Sequence, residues 1–344
     1  MKSNVISLKC PPIEEDRVSP IYAVIETWVR SSALSRLIDS FGSNIPDKLD
    51  LETLVTWLLN FSEQWDFRRL QQEAAAKDIG EGARWLLNDS HLTPLQQNLI
   101  EESAKILGLI GVSEPIGQSY DYVLVLGGAR LSCLLRPRLA AKLIKERHIQ
   151  PNAVILLASS RPVAHSERDA TNVYAPNSIN EFDLMNAGAE ISFQTKDFTE
   201  ESCDDPINVN RSWVIRRYNV TMKFPPIVSI SSPSSEPDKR RANSADTYEF
   251  FFSKFNVTHG SSLLLVTSQI YVPYQQLEAI RTLALPHDVI VETVGFPSVW
   301  GGKLQGLAGP SNYLQEIRST IQSAYRFLKL FPKKSKDMRV QCDD

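Results

Sequence analysis

VLVLGGARLS, residues 123–132, decides the fold: four consecutive apolar residues run straight into Gly127 and Gly128. A continuous apolar run of that length, ended by glycine, predicts a strand buried on both faces. The segment behind it, RPRLAAKLIKERH, has helical spacing, and Pro137 is expected in its first turn, where a missing N–H costs nothing. The same strand-then-helix pattern returns at AVILLASS (153–160), PIVSISS (226–232), SLLLVTS (262–268) and DVIVETVG (288–295). Apolar strands alternating with helices predict an α/β fold: a Rossmann-like parallel sheet of about five strands with helices on both faces.

Upstream of residue 118 the period changes. Ile21, Val24, Ile25, Trp28 and Val29, then Leu54, Val55, Trp57, Leu58 and Leu59, then Leu95, Leu99, Ile106 and Leu107 recur at helical spacing, so this region is expected to be all-helical. The chain therefore divides into a helical N-terminal region (1–118), a Rossmann-like α/β domain (119–331) and a polar tail (332–344). Inside the helical region WDFRRLQQEAA (65–75) sets Arg68 and Arg69 behind two aromatics and reads as a solvated helix start. In the α/β part Ser178 with Glu181 reads as a capping box and Gly188 as the stop of the same helix. Pro273 opens the helix QQLEAIRTLAL, Pro286 ends it, and a last amphipathic helix is expected from Tyr313 to Phe331.

Composition narrows the function. The 344 residues are 42% hydrophobic and 22% charged with a formal net charge of -3, so no diffuse positive charge advertises nucleic acid or an anionic membrane. Cys10, Cys133, Cys203 and Cys342 lie far apart with no C-x-x-C, which predicts reduced thiols in a cytoplasmic protein rather than disulfides or a metal site. The broken apolar run before Pro11 is too short for a signal peptide, and no 18 apolar residues occur together, so no membrane contact is expected.

In a sheet of this kind ligands bind outside the carboxyl ends of the strands. The first strand delivers Gly127, Gly128, Arg130 and Ser132 there, the second Ser159, Ser160 and Arg161, the third Ser231, Ser232, Ser234, Ser235 and Glu236, and the fourth Thr267, Ser268, Gln269 and Tyr271. Glycines and small hydroxyls at four strand ends predict a polar pocket sized for a phosphate or a nucleotide. The turn is not G-x-G-x-x-G and no P-loop is present. Arg240 and Arg241 are expected on a helix that starts at this edge, where they either fork onto an anionic ligand or form a solvated basic face. Glu181 is either a capping carboxylate or a catalytic one. His165, in RPVAHSERD, is a candidate acid or base. Tyr271 and Tyr274 either orient a leaving group or pack the rim.

LGGARLS, EFDLMNAGAE, RRANSADTYEFF and VTSQIYVPYQQLEAIR, in this order over residues 120–297, resemble the SanA/YdcF-like domain family. That resemblance implies a Rossmann-like fold, with S-adenosylmethionine binding in some members. It sets the family's glycine turn on Gly127 and Gly128, its acidic residue on Glu181, its helix asparagine on Asn243 and its strand-end pair on Thr267 and Ser268. Two departures stand out: Ile270 and Tyr271 replace a Tyr-His pair, and Ala158-Ser159-Ser160 replaces S-G-G. The long helical N-terminus is also foreign to that family.

Three functions follow from these residues. One is a group-transfer enzyme with a nucleotide-like, S-adenosylmethionine-like or phosphorylated ligand, bound by the glycine turn and Asn243, with Glu181 or Tyr271 handling a proton. Another is a cyclodipeptide-synthase-like transferase that takes an acyl group from aminoacyl-tRNA onto Ser132, with LRPRLAAKLIKERH and PKKSK as its basic approach surface. The third is a non-catalytic ligand sensor that presents the helical region to a partner.

Overall fold

Every residue of β1 (Tyr122–Leu126), β2 (Ala153–Ala158) and β5 (Ile227–Ser231) is buried. The computed structural model, which describes residues 5–67, 87, 89–219, 223–302 and 307–333, sets these strands in one seven-stranded sheet. The other strands are β3 (Phe198–Cys203), β4 (Trp213–Tyr218), β6 (Ser262–Ser268) and β7 (Ile290–Phe296), in the order β3-β4-β5-β2-β1-β6-β7. β5, β2, β1, β6 and β7 pair in parallel, with Val125 opposite Leu156 on one side and Val266 on the other. Numbered among themselves these five run 3-2-1-4-5, the order of a doubly wound sheet.

The expectation of about five strands is corrected to seven. The five apolar runs are the five parallel strands; β3 and β4 add an antiparallel hairpin beyond β5, so the sheet is mixed. All six residues of β3 are exposed. FTEESC therefore carries no apolar signature, and its glutamates, with Glu200 paired to Arg216 at 2.8 Å, suit an edge that must not recruit another strand.

Alternation along the strands builds two cores. Val123, Val125, Val154 and Leu156 pack against α5 (Ser132–Arg147) and α7 (Glu181–Phe193), through Leu135, Leu139 and Met185. Leu124, Leu126, Ile155 and Leu157 face the other way, toward α8 (Ser244–Lys254) and α9 (Val272–Ala279). A short α6 (His165–Thr171) lies between β2 and α7. The upstream helices α1 (Val18–Val29), α2 (Ser32–Ser40), α3 (Leu51–Phe61) and α4 (Pro94–Ile106) join α10 (Pro310–Leu330) outside α9, and their Ile25, Trp28 and Leu58 belong to the same core as Leu124. Buried Arg17 fastens this layer to the sheet by donating to the carbonyls of Ala284 and Val289, both at 2.8 Å. No helix of the described residues is long and apolar enough to cross a membrane.

Three local expectations change. α7 is capped by Asn180, whose side chain accepts from the Asp183 N–H at 2.8 Å while Asp183 accepts in return, so Ser178 and Glu181 are not the capping pair. Gly188 lies inside α7 rather than at its end, and Pro137 is the sixth residue of α5, beyond the first turn. α10 begins at Pro310, and its polar residues Gln315, Glu316, Ser319, Thr320 and Ser323 are buried, because the helix is enclosed on several sides: Ser323 donates to Glu278 of α9 at 2.7 Å, and Arg318 donates to the Leu59 carbonyl of α3 at 2.9 Å.

Candidate functional site

The winding of the sheet reverses between β1 and β6, and a doubly wound sheet leaves its ligand crevice outside the carboxyl ends of such a pair. The chain leaves β1 through Gly127, Gly128 and Arg130, whose φ of 53° is left-handed, and enters α5 at Ser132. It leaves β6 through Ser268 and a single 3-10 turn, Gln269–Tyr271, and enters α9. Arg136, one helical turn beyond Ser132 and only 4% exposed, bridges the two exits. Its Nη1 donates to the carbonyls of Leu126 (2.8 Å) and Gly127, its Nη2 donates to Ser268 Oγ (3.3 Å), and its guanidinium lies 5.8 Å from the centre of the Tyr271 ring. The strand-end carbonyls are thereby satisfied by a buried cation, and Ser268 and Tyr271 are held against it.

Beside Arg136 opens a cavity of about 410 Å³. Ser132, Ser268 and Tyr271 line it from the sheet edge, and Asn312, Gln315 and the buried Glu316 of α10 line it from the helical layer. Ile110 and Phe296 give it apolar surface. Sequence reasoning brought the first three here. It missed Arg136, read only as part of a basic run, although a residue four places after Ser132 in a helix starting at a strand end shares its face. It also missed α10, which nothing local connects to this edge.

Glu181 is placed in a neighbouring cluster. Arg161 Nε reaches Glu181 Oε2 at 3.0 Å, while its Nη1 and Nη2 fork onto Glu167 at 2.7 and 3.2 Å. The backbone N–H of Arg130 donates to Glu167 as well, at 3.3 Å. Burial by itself lowers the Arg161 pKa, but the hydrogen bonds and charges of the two carboxylates outweigh it and raise the value above the usual range. Gly127 is required here for a reason other than ligand approach: a Cβ would overlap Glu181 Oε1 and come within 2.7 Å of the Leu157 carbonyl. At Gly128 a Cβ would lie 2.9 Å from Arg136 Nη1 and 3.0 Å from Ser132 Cβ, so both glycines make room for the protein's own charged side chains. Cys133, behind this turn, donates to the Gly128 carbonyl at 3.0 Å, and burial followed by the Glu181 charge pushes its thiol up to about 12, so it stays neutral.

The remaining candidates are spread along the edge. Ser159 Oγ accepts from the Arg161 N–H at 3.3 Å, Ser160 follows half-buried, and Thr267 is fully buried. His165 is exposed at the start of α6. Asn243 caps α8, accepting from the N–H groups of Ala245 (2.9 Å) and Asp246 (3.2 Å). Arg240 and Arg241 are not on a helix: they lie in the loop before α8, Arg241 exposed and Arg240 bound to Glu236, Ser235 and Asp246. Arg68 and Arg69 fall outside the described residues.

Asp246 yields a prediction. Burial opposes its ionisation, yet donors from Arg240, Ser235 and Asn243 outweigh burial and hold its carboxyl at about 2. A carboxyl depressed below its unfolded value contributes stability above the unfolded pKa, and that contribution disappears as pH falls through the folded one. Asp246→Asn is expected to cost about 2 kcal/mol at pH 6 and to flatten the loss of stability between roughly pH 4 and pH 2, read by urea unfolding across that window. An unchanged acid limb removes Asp246 from the account.

Comparison with known proteins places the chain. Residues 13–108 match the family model described as the Rv3785 N-terminal domain, a segment that takes in α1 to α4. The uncharacterized protein Rv3785 of Mycobacterium tuberculosis (strain H37Rv) is 36% identical over 324 residues, covering 89% of each chain. The uncharacterized protein Mb3814 of Mycobacterium bovis matches to the same extent. No solved structure matches. None of these names bears on the SanA/YdcF-like resemblance. Identity of this level along nearly the whole length, through the helical layer and the sheet alike, shows that the chain belongs to the Rv3785 family.

Proposed function

We propose that the chain is a group-transfer enzyme whose switch-point cavity holds a nucleoside-type ligand, with an S-adenosylmethionine-like molecule as the best chemical match. The observation that supports this reading is the position of the cavity at the reversal between β1 and β6, with Ser132, Ser268 and Tyr271 in its wall. Apolar surface from Ile110 and Phe296 suits a flat base. Hydroxyl and amide groups suit a ribose, and the carboxylate of Glu316 suits hydroxyls or a cationic end better than a chain of phosphates. Because Arg161 already holds Glu181, Tyr271 is the better candidate for handling developing charge, as a fixed hydrogen-bond donor.

Calorimetry with S-adenosylmethionine, S-adenosylhomocysteine and ATP tests this. Tyr271→Ala is expected to weaken the adenosyl ligands roughly 5- to 100-fold, the worth of one ring stacked on a base, while Tyr271→Phe stays within about threefold. Failure of all three to bind the parent chain overturns the reading. The acyl-transfer alternative keeps one supporting observation, Ser132 in the cavity wall as the first residue of the sixteen-residue α5, where the helix N-terminus favours a developing negative oxygen. Native mass spectrometry separates the two: a co-purifying nucleoside-sized mass supports the first, and an acyl adduct on Ser132 or bound tRNA the second.

A further inference from the structure

Along α5 the fold sorts the cations of RPRLAAKLIKER into two sets. Arg136 is buried against the strand ends, and Arg147 pairs with Glu114. Arg138, Lys142 and Lys145 stay exposed, at i, i+4 and i+7 of one helix face. A rise of about 1.5 Å per residue sets them about 6 and 4.5 Å apart along the axis, a single file about 10 Å long. By the same rise the file starts about 9 Å past Ser132, which lines the switch-point cavity.

Aromatic rings hold these cations in place. The Arg138 guanidinium lies 5.1 Å and the Lys142 ammonium 5.4 Å from the centre of the Trp300 ring, and the Lys145 ammonium 4.8 Å from that of Phe224. Trp300 in turn stacks on Phe296, a residue of the cavity wall, at 6.1 Å and 19°. A ring orders a cation without neutralising it, unlike the carboxylates that hold exposed Arg30 (Glu26, 2.8 Å) and Arg211 (Asp238, 3.0 Å). Among the described residues neither Arg138 nor Lys145 has a carboxylate partner, and Lys142 reaches Glu146 at 3.7 Å. Two like charges at i and i+4 on one ring repel each other, and an anion between them relieves that repulsion.

The shape of the file selects the anion. It is one helix wide and linear, which fits the phosphates of one strand rather than a flat membrane or the paired rails of a duplex. The Arg138 guanidinium, resting on Trp300, offers its outer side as a plane for a base. Val299, 65% exposed beside Trp300, adds apolar surface at that end. An acidic peptide would meet the charges and leave this surface unused.

We propose that the exposed face of α5 binds single-stranded nucleic acid, with its phosphates along Arg138, Lys142 and Lys145 and a base against Arg138. The net charge of -3 is an average over the whole chain and does not oppose so local a site. A strand held here reaches the rim of the switch-point cavity at Val299 and Ser132, where it is the acceptor of the transferred group. That last step rests on the group-transfer reading; the binding itself does not.

The test follows fluorescence anisotropy of labelled oligo(U) and oligo(dT), each of about twelve residues, as the full chain is added without any adenosyl ligand. Saturable binding is expected, at least about fivefold tighter than to a duplex of the same length. Its logarithm is expected to fall with the logarithm of salt concentration at a slope of about −2, roughly 0.7 for each of three cations. Arg138→Gln and Lys142→Gln, both on the surface, are each expected to reduce that slope by about 0.7 with the melting temperature unchanged. Arg138→Lys keeps the charge and removes the plane, so it is expected to keep the slope and weaken binding about fivefold or more. Absence of saturable binding, equal affinity for the duplex, or an unchanged slope in both glutamine variants overturns the proposal. So does capture by phosphatidylglycerol vesicles with the same dependence on Arg138 and Lys142, which would make the face a membrane contact. Because no adenosyl ligand is present, this result and the calorimetry on the cavity fail separately.

Discussion

Arg161→Met is expected to lower folding stability by about 3–5 kcal/mol, read as a shift of the urea midpoint at neutral pH. Among the described residues Arg161 is the side chain that bridges Glu167 and Glu181, whose side chains are 2% and 10% exposed. Methionine keeps the length and apolar stem of the residue and removes only the charge. Two carboxylates would then share a largely dry site, with the N–H and the charge of Arg130 left beside Glu167. Arg161→Lys is expected to recover less than half of the loss, because an ammonium cannot donate in a fork to one carboxylate while reaching the other. Adding Glu167→Gln to Arg161→Met removes one of the stranded charges and is expected to regain stability, the signature of a coupled pair. If Arg161→Met costs under 1 kcal/mol, the carboxylates are finding water and the cluster is not a closed clamp. The effect reaches the turn, since Gly127 rests against the Glu181 carboxylate and leads into α5.

The parallel part of the sheet was legible because its strands are buried on both faces, and that demands apolar residues at every position. β3 was not: an exposed edge strand makes no such demand, and FTEESC reads as a polar loop. The site was half legible. Strand-end reasoning brought Ser132, Ser268 and Tyr271 to one cavity and Gly127 and Ser159 to the cluster beside it, where Glu181, read from its helix start and from the resemblance, also lies. Edge reasoning also selected Arg240, and the resemblance selected Asn243, yet the interactions of both hold the start of α8, because helix caps and ligand loops draw on the same residue types at the same ends of strands. Arg136 and Glu167 were unweighted as site residues because a charged residue is presumed solvated until its partners are known, and main-chain carbonyls nine and ten residues back are among the partners of Arg136. Glu316 and Gln315 enter the cavity from the end of the chain, a juxtaposition set by the docking of α10.

Gly188→Ala is expected to destabilise the fold by about 3 kcal/mol or more, although alanine in a helix interior ordinarily improves on glycine by roughly 1 kcal/mol. The sign turns on one backbone contact. A Cβ at Gly188 would overlap the carbonyl oxygen of Cys133 on α5, and main chain cannot swing aside as a flexible side chain can. That carbonyl is also the one left without its helical donor, since the residue four places on is Pro137, which has no N–H. Glycine on α7 and proline on α5 thus form a complementary pair: the proline frees the carbonyl, and the glycine lets the neighbouring helix close over it. Separating the helices to admit a methyl group would open the core around Leu135, Leu139 and Met185, and would move Ser132 and Arg136 with the start of α5. Gly188→Ala is therefore expected to weaken ligands of the switch-point cavity even under conditions where the variant remains folded. Urea unfolding measures the first effect and calorimetry on the folded variant the second. A Gly188→Ala chain as stable as its parent would show that α5 and α7 do not approach this closely, and the seat argued for Arg136 and Ser132 would fall with that contact.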